Sequence, residues 1–338
     1  MPAQNMRVAM NLYQPSGRNG KLLKALFPWF HRSALVRKII HAEVVHVELR
    51  EEARLLLQQL FGVDNPEFSI FCGTPCVHQK ITMQISKGER ILGYCKLTDN
   101  PEVACLFERE KEILHSLGRQ GVTGAPLCLF CGKETGGLYL FVQTTTKTQR
   151  SKTVHEWGPC HEKFLLELQT KTHQKLLFED TDYYQTLKEL EAHLDWLPDF
   201  VERSCVETAL LQLFDRYNGR QVDVSAYHAD FTPWNMFLEG DRLFVFDWEY
   251  ARMTYPPQLD RYHFLTQTAI FERHWQSREI IDYMQSEEGK WVDRQSYVLY
   301  LLDIISRFCI RERGLFHGDV LNSMKIWNEL LKYIVAHQ

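Results

Sequence analysis

Leu22, Leu23, Leu26, Phe27 and Phe30 return at intervals of three and four, the spacing of an apolar helical stripe. Asn19-Gly20 ends a turn just before them, and Pro28 is expected to break or bend the helix. Alternation over 43–50 predicts a strand, and 51–61 carries a second helical stripe. From about 68 the period changes to two. Strands are predicted over 68–72, 80–85 and 91–96, the last two joined by a hairpin turn at Lys87-Gly88-Glu89-Arg90. A helix follows over 103–117, with Val103, Leu106, Phe107, Ile113, Leu114 and Leu117 on its apolar side. Segments 127–130 and 137–142 bring the strands to five, and the polar run 143–148 then reads as a linker. Beyond it helical patterns dominate, over 164–177, 183–194, 200–217, 261–273, 280–285, 292–311 and 320–337. Between the third and fourth of these, apolar runs at 235–238 and 243–246 flank Glu239-Gly240-Asp241-Arg242, the signature of a hairpin. The whole predicts an α+β chain: an extension over 1–50, a β-rich lobe with its linker over 51–148, and a helical lobe over 149–338.

Composition narrows this only at the edges. The 338 residues are 45% hydrophobic and 12% aromatic, enough for a sizeable core, and the net charge of −4 argues against a nucleic-acid partner. Nine cysteines, scattered and odd in number, suit a reducing compartment better than a disulfide scaffold. Cys128 and Cys131 form a lone C-x-x-C in an apolar run and read as buried strand cysteines. No apolar run approaches the roughly 18 residues of a membrane span, and the N-terminus lacks a signal-peptide core, so the expected location is the cytoplasm. Lys21, Lys24, Arg32, Arg37 and Lys38 make the first amphipathic stretch basic. Such a stretch either makes peripheral contact with an anionic membrane or packs on its own domain.

The chemistry concentrates in 227–249. If the hairpin forms, its antiparallel strands bring Asn235, at the start of the first, beside Asp247, at the end of the second. Asp230 lies five residues before Asn235 in the segment feeding that end. Phosphoryl transfer uses such a set: an Asp and an Asn hold Mg²⁺ on the nucleotide, and a second Asp takes the proton of the attacking hydroxyl. The spacing His228-x-Asp230-x₄-Asn235, then a strand, then Asp247 keeps that of a kinase catalytic loop and metal-binding Asp.

His228-Ala-Asp-Phe-Thr-Pro-Trp-Asn235 followed by Phe246-Asp-Trp-Glu-Tyr250 resembles the aminoglycoside phosphotransferase and choline/ethanolamine kinase superfamily, whose members have a bilobal protein-kinase-like fold. The resemblance implies that Asp230 is the catalytic base, braced by His228, and that Asn235 and Asp247 are metal ligands. It implies Mg²⁺ as cofactor, with ATP or GTP as co-substrate. Lys96, ending the third predicted strand, matches the phosphate-pairing lysine, and Glu110, in a segment resembling R-E-x-x-x-L-x-x-L, its helical partner. Gly73 and Thr74 stand where a phosphate-covering loop belongs, without the G-x-G-x-x-G of protein kinases. Gln143 and Thr144 open the linker whose backbone meets the adenine in this fold. Asp260 resembles the structural Asp that follows the metal-binding one.

Two features bear on the acceptor. Ala229 stands where protein kinases carry Arg, and only thirteen positions separate Asp247 from Asp260, with no A-P-E closing the segment. Both favour a small-molecule hydroxyl over a peptide: a sugar, a glycan head group, an aminoglycoside or an amino alcohol such as choline. Trp275, Trp291, Tyr297 and Tyr300 could cage a quaternary ammonium, although helical aromatics more often serve the core. Two other readings stay open: a catalytically silent pseudokinase, and a metal-dependent hydrolase built on His228, Asp230, Asp247 and His263. Oligomeric state is not legible.

Overall fold

The computed structural model describes residues 5–13, 18–31, 33–39, 47–73 and 78–337. Four helices come first: α1 (Met6–Ala9), α2 (Arg18–Phe30), α3 (Ala34–Ile39) and α4 (Glu51–Phe61). Strands β1 (Glu67–Phe71), β2 (Ile81–Lys87) and β3 (Arg90–Thr98) follow, then α5 (Pro101–Arg119), β4 (Cys128–Lys133) and β5 (Tyr139–Thr144). Next come α6 (Pro159–Thr172), β6 (Gln174–Leu177), α7 (Asp182–Ala192), α8 (Arg203–Tyr217) and β7 (Gln221–Tyr227). The chain closes with β8 (Met236–Glu239), β9 (Arg242–Val245), β10 (Arg252–Tyr255), α9 (Leu259–Phe271), α10 (Ser277–Gln285), α11 (Arg294–Glu312) and α12 (Gly318–Ala336). This is the expected α+β, kinase-like arrangement of a five-stranded antiparallel sheet and a mainly helical region.

Contacts between residues divide the chain into two compact units. One comprises Met1–Gly118, Gly124–Thr153 and Phe237–Glu249, the other Arg119–Thr123, Val154–Met236 and Tyr250–Gln338.

In the first unit the sheet runs β1-β2-β3-β5-β4. Helix α4 begins with Glu51 and Glu52, whose charge suits a helix N-terminus, and ends on Gly62 in the left-handed conformation. Its Leu57 joins Met83, Ile85, Cys95, Leu140 and Val142 in the core. Gly93 in β3 lets this happen: a Cβ there would sit 2.3 Å from the Gln143 carbonyl oxygen and 2.7 Å from the Phe61 ring. Helix α5 buries Val103, Leu106, Phe107, Ile113, Leu114 and Leu117, and Glu110 is the one charged residue on that buried face. A carboxylate is left there only where it is paired. In the second unit β7 lies between β6 and β10. The core is built from α7, α8, α11 and α12, with Leu187, Val206, Leu301, Ile304, Leu330 and Leu331 fully enclosed.

Several sequence expectations change. Helix α2 starts at Arg18, so Asn19-Gly20 lies inside it and not in a turn, and it runs past Pro28 to Phe30. A proline costs a helix one N–H donor, and here the ladder resumes at once with the His31 N–H on the Phe27 carbonyl. The strand expected over 43–50 is not formed at 47–50, and 43–46 lie outside the described residues. The helix expected to reach 177 stops at Thr172, and 174–177 is β6, held against β7 from Gln174 opposite Val224 to Leu177 opposite Gln221. Strands β7 and β10 were not expected, so β7 and not α8 leads into the 227–249 stretch. Cys128 and Cys131 do lie on a strand but are half-buried, with the Cys131 thiol against Glu108 at 3.4 Å.

Candidate active site

The charged residues of the first unit gather at the end of β3. Lys96 is buried, and its Nζ donates to Glu110 Oε2 at 2.5 Å and to Asp247 Oδ1 at 2.6 Å. The other oxygen of Glu110 accepts the Trp248 backbone N–H at 3.2 Å, so one buried carboxylate braces both the lysine and the segment carrying Asp247. Asp247 has φ +69°, a left-handed backbone that is unusual outside glycine and common at functional turns. Burial pulls the Lys96 ammonium down, but Asp247 and Glu110 outweigh it and the pKa ends raised. Burial works to raise Asp247, and Lys80 and Lys96 drive it well below the carboxylate range.

Lys80 and Glu249 are the members that sequence reasoning missed. Lys80 stands just before β2 and donates to Asp247 Oδ1 at 3.1 Å and to Glu249. Burial together with the neighbouring Asp247 charge pushes the Glu249 carboxyl up to about 7 against the pull of Lys80. The signal that could have found Glu249 was present in Asp247-Trp-Glu249, an acid two places from the expected metal ligand. Lys80 announced itself only as a polar residue at a strand start.

The nucleotide-side expectations are placed less evenly. Gly73 has φ +76°, and a Cβ there would lie 2.7 Å from the Lys80 carbonyl oxygen, so this close turn requires glycine. Thr74 lies outside the described residues. Gln143 and Thr144 end β5, where the Thr144 hydroxyl accepts the Leu127 N–H at 2.9 Å. Gln143 is buried, and its Oε1 has no hydrogen-bond partner among the described residues.

The second unit holds the other expected residues. Asn235 Nδ2 donates to Asp230 Oδ2 at 2.7 Å and to the Asp230 carbonyl at 3.0 Å. His263 Nε2 lies 3.2 Å from Asp230 Oδ1. His228 is fully buried and accepts the Asp230 N–H on Nδ1 at 3.2 Å. Ala229 takes φ +70°, and that reversal aims the amides of His228 and Ala229 at the Asp260 carboxylate, 2.9 and 3.1 Å away. Arg307 on α11 donates to the Ala229 carbonyl oxygen. Burial acts to raise Asp230, yet the His263 hydrogen bond and the nearby cations leave its pKa lowered, so it is a carboxylate at neutral pH. Burial pushes Asp260 up to about 7 against its two amide donors.

Both units offer oxygen donors of the kind Mg²⁺ takes: the Asp247 carboxylate, with Glu110 and Glu249 close enough to share a cation, and the Asn235 amide oxygen, left over once Nδ2 is spent on Asp230. By its chemistry each of these donor sets fits the metal. The four aromatics considered for a cage do not form one among the described residues. Tyr297 and Tyr300 are fully buried, with hydroxyls against Thr266 and Gln267, the Arg261 guanidinium covers Trp291, and Trp275 packs on Tyr283.

No protein-family model matches the sequence, and no curated protein matches it. Solved structures do. A thermostable mutant of aminoglycoside phosphotransferase APH(4)-Ia superposes with a TM-score of 0.52 at 13% identity, covering 84% of this chain and 98% of that one. The fold is that of the small-molecule kinases. Choline kinase LicA from Streptococcus pneumoniae matches with a TM-score of 0.50 at 15% identity, over 84% of this chain and 100% of its own. The same APH(4)-Ia appears with a TM-score of 0.51 at 14% identity in a ternary complex with ADP and hygromycin B. At such identities the likeness speaks for the kinase-like fold.

Proposed function

We propose that the protein transfers the γ-phosphoryl group of ATP or GTP to a hydroxyl of a small molecule. The observation that carries this is the buried Lys96 held by both Glu110 and Asp247, the arrangement that readies a lysine for nucleotide phosphates. Asp230, ionised and held by Asn235 and His263, accepts the proton of the acceptor hydroxyl. The acceptor oxygen forms its bond to phosphorus as the bond to the nucleoside diphosphate breaks, and the diphosphate leaves. Asn235 and Asp247 would hold Mg²⁺, which when bound neutralises phosphate charge. Glu110 keeps Lys96 oriented, and His228 and Asp260 keep the Asp230 loop in shape. Small-molecule kinases of this fold support the class, one of them seen with ADP and hygromycin B.

A small acceptor is favoured over a peptide by the segment between Asp247 and Asp260. Strand β10 within it is paired with β7, and Asp182 Oδ2 accepts the N–H groups of Met253 and Thr254, both at 3.1 Å. Pro256 and Pro257 bring no donors. Little backbone remains to hold an extended peptide. The acceptors in view are sugars, glycan head groups, aminoglycosides and amino alcohols. The test has two arms. ATP or GTP with Mg²⁺ should raise the melting temperature, since a ligand bound only by the folded state stabilises it. Labelled nucleotide should then mark a member of a panel of these compounds. No shift with either nucleotide at millimolar concentration would sink the kinase assignment, and labelling confined to a protein acceptor would overturn the acceptor class.

A further inference from the structure

Residues 1–42 contain seven Lys and Arg and no Asp or Glu, although the chain as a whole is net −4. The acidic excess therefore lies entirely beyond this segment. Its first helix, α1, is pinned to the sheet of its unit: buried Gln84 Nε2 donates to the Val8 carbonyl at 2.8 Å, and Asn5 Nδ2 to the Gly88 carbonyl at 2.9 Å.

Helix α2 carries two apolar stripes. Leu23 and Phe27, four apart, turn inward and line an apolar cavity with Met10, Tyr13, Ile70 and Phe71. Leu22, Leu26 and Trp29, at spacings of four and three, turn outward and are 59%, 46% and 68% exposed. Leu35 and Ile39 on α3 repeat the spacing of four, at 68% and 66%. Six of the nineteen large hydrophobic side chains exposed among the described residues fall within 22–39. A folded protein scatters such side chains singly, so this cluster marks a surface that is covered in use. Arg7 stacks on the Trp29 ring at 4.3 Å, setting a cation beside the most exposed aromatic.

We propose that α2 and α3 form a membrane-docking surface that lies flat on an anionic bilayer, with Leu22, Leu26, Trp29, Leu35 and Ile39 entering the acyl boundary. Seven cations in a segment that contains no Asp or Glu complement anionic headgroups, and aliphatic and indole side chains complement the layer beneath. Nucleic acid fits less well, because Leu and Ile gain nothing against phosphate or sugar. Spanning is excluded for these elements: no described helix is long and apolar enough to cross a membrane.

The test is co-sedimentation of the full chain with vesicles of phosphatidylcholine alone and of phosphatidylcholine with about one-third phosphatidylglycerol. Binding is expected only to the anionic vesicles and should fall steeply in roughly 0.5 M salt, where the Debye length shrinks to a few Å. Lys38→Gln should weaken binding by about fivefold. Trp29→Ala with Leu35→Gln should weaken it by at least about tenfold. These exposed positions should leave the melting temperature unchanged, which separates lost docking from lost folding. Absence of sedimentation with anionic vesicles by a normally melting protein overturns the proposal. So does equal binding to neutral vesicles, or binding that tracks Lys38 but ignores Trp29 and Leu35, the pattern of a polyanion site.

Discussion

The two compact units hold Asp247 and Asp230 by opposite means. In the first, Asp247 is held by ions: Lys80 and Lys96 both reach Oδ1, and Glu110 and Glu249 complete a group of three acids against two lysines. In the second, Asp230 is held mainly by neutral donors, the Asn235 amide and the His263 imidazole, and its loop is fixed by backbone amides on Asp260. An ionic cluster can trade partners, since phosphates and a cation can take the places of carboxylates and ammonium groups. A neutral network cannot trade without leaving buried groups unpaired, so it keeps its geometry. The difference suits the proposed division of labour, with one unit accommodating a charged ligand and the other keeping a base in position.

The largest effect should come from the neutral network. Asp230→Asn keeps the shape but removes the proposed proton acceptor, and kcat should fall by roughly 10²–10⁴-fold with nucleotide affinity nearly intact. Rapid-quench turnover beside equilibrium nucleotide titration checks both halves. Unchanged turnover on a verified acceptor would remove Asp230 from the reaction, and lost nucleotide binding would show that the two units do not divide the work.

Next come the two lysines of the ionic cluster, whose partners differ. Lys96→Met strands Glu110, which is fully enclosed, and breaking a buried pair in this way costs about 3–5 kcal/mol. Lys80→Met strands Glu249, whose carboxyl already sits near 7 and can escape by taking a proton. Its cost should be smaller, about 1–2 kcal/mol. Both variants should also bind nucleotide more weakly. Chemical denaturation ranks them, and a Lys80 variant less stable than the Lys96 variant would contradict this account of the cluster.

How much of this was legible follows from what each signal depends on. Lys96, Glu110, Asp230, Asn235 and Asp247 could be singled out because the proposed phosphoryl transfer asks for residue types at set spacings around a strand and a hairpin, and spacing is visible along a chain. Strands β1 to β5 were legible because each alternates beside a turn. Strands β6 and β10 are four residues each and take their pairing from β7, so little in their own pattern tells them from helix ends or loop. Alternating Val222, Val224 and Ala226 could have revealed β7 itself. Lys80 and His263 reach the reactive carboxylates from 167 and 33 positions away, and nothing local to either says so. The aromatic cage failed for a physical reason: Tyr297 and Tyr300 are spent on the core of α9 and α11.

The effect that tests both units together is the response of stability to pH. Each unit pairs a lowered acid with a raised one: Asp247 with Glu249, and Asp230 with Asp260. The raised acids bind a proton more tightly folded than unfolded. From the unfolded pKa near 4 up to about 7 the folded state therefore holds protons that the unfolded chain has released. Stability must fall with rising pH across that window, by at most about 1.4 kcal/mol per pH unit for each such group. The lowered acids act with the opposite sign and only below about pH 4, where protonating Asp247 and Asp230 removes their stabilisation. The nucleotide-free protein should thus melt highest near pH 5 and progressively lower toward pH 7.5. Glu249→Gln should flatten part of that slope, the remainder belonging to Asp260 in the other unit. Melting curves at quarter-unit pH steps decide it. A melting temperature that stays flat or climbs from pH 5 to pH 7 would mean that burial does not raise these two carboxyls, and the contrast between traded ions and fixed neutral donors would lose its electrostatic basis.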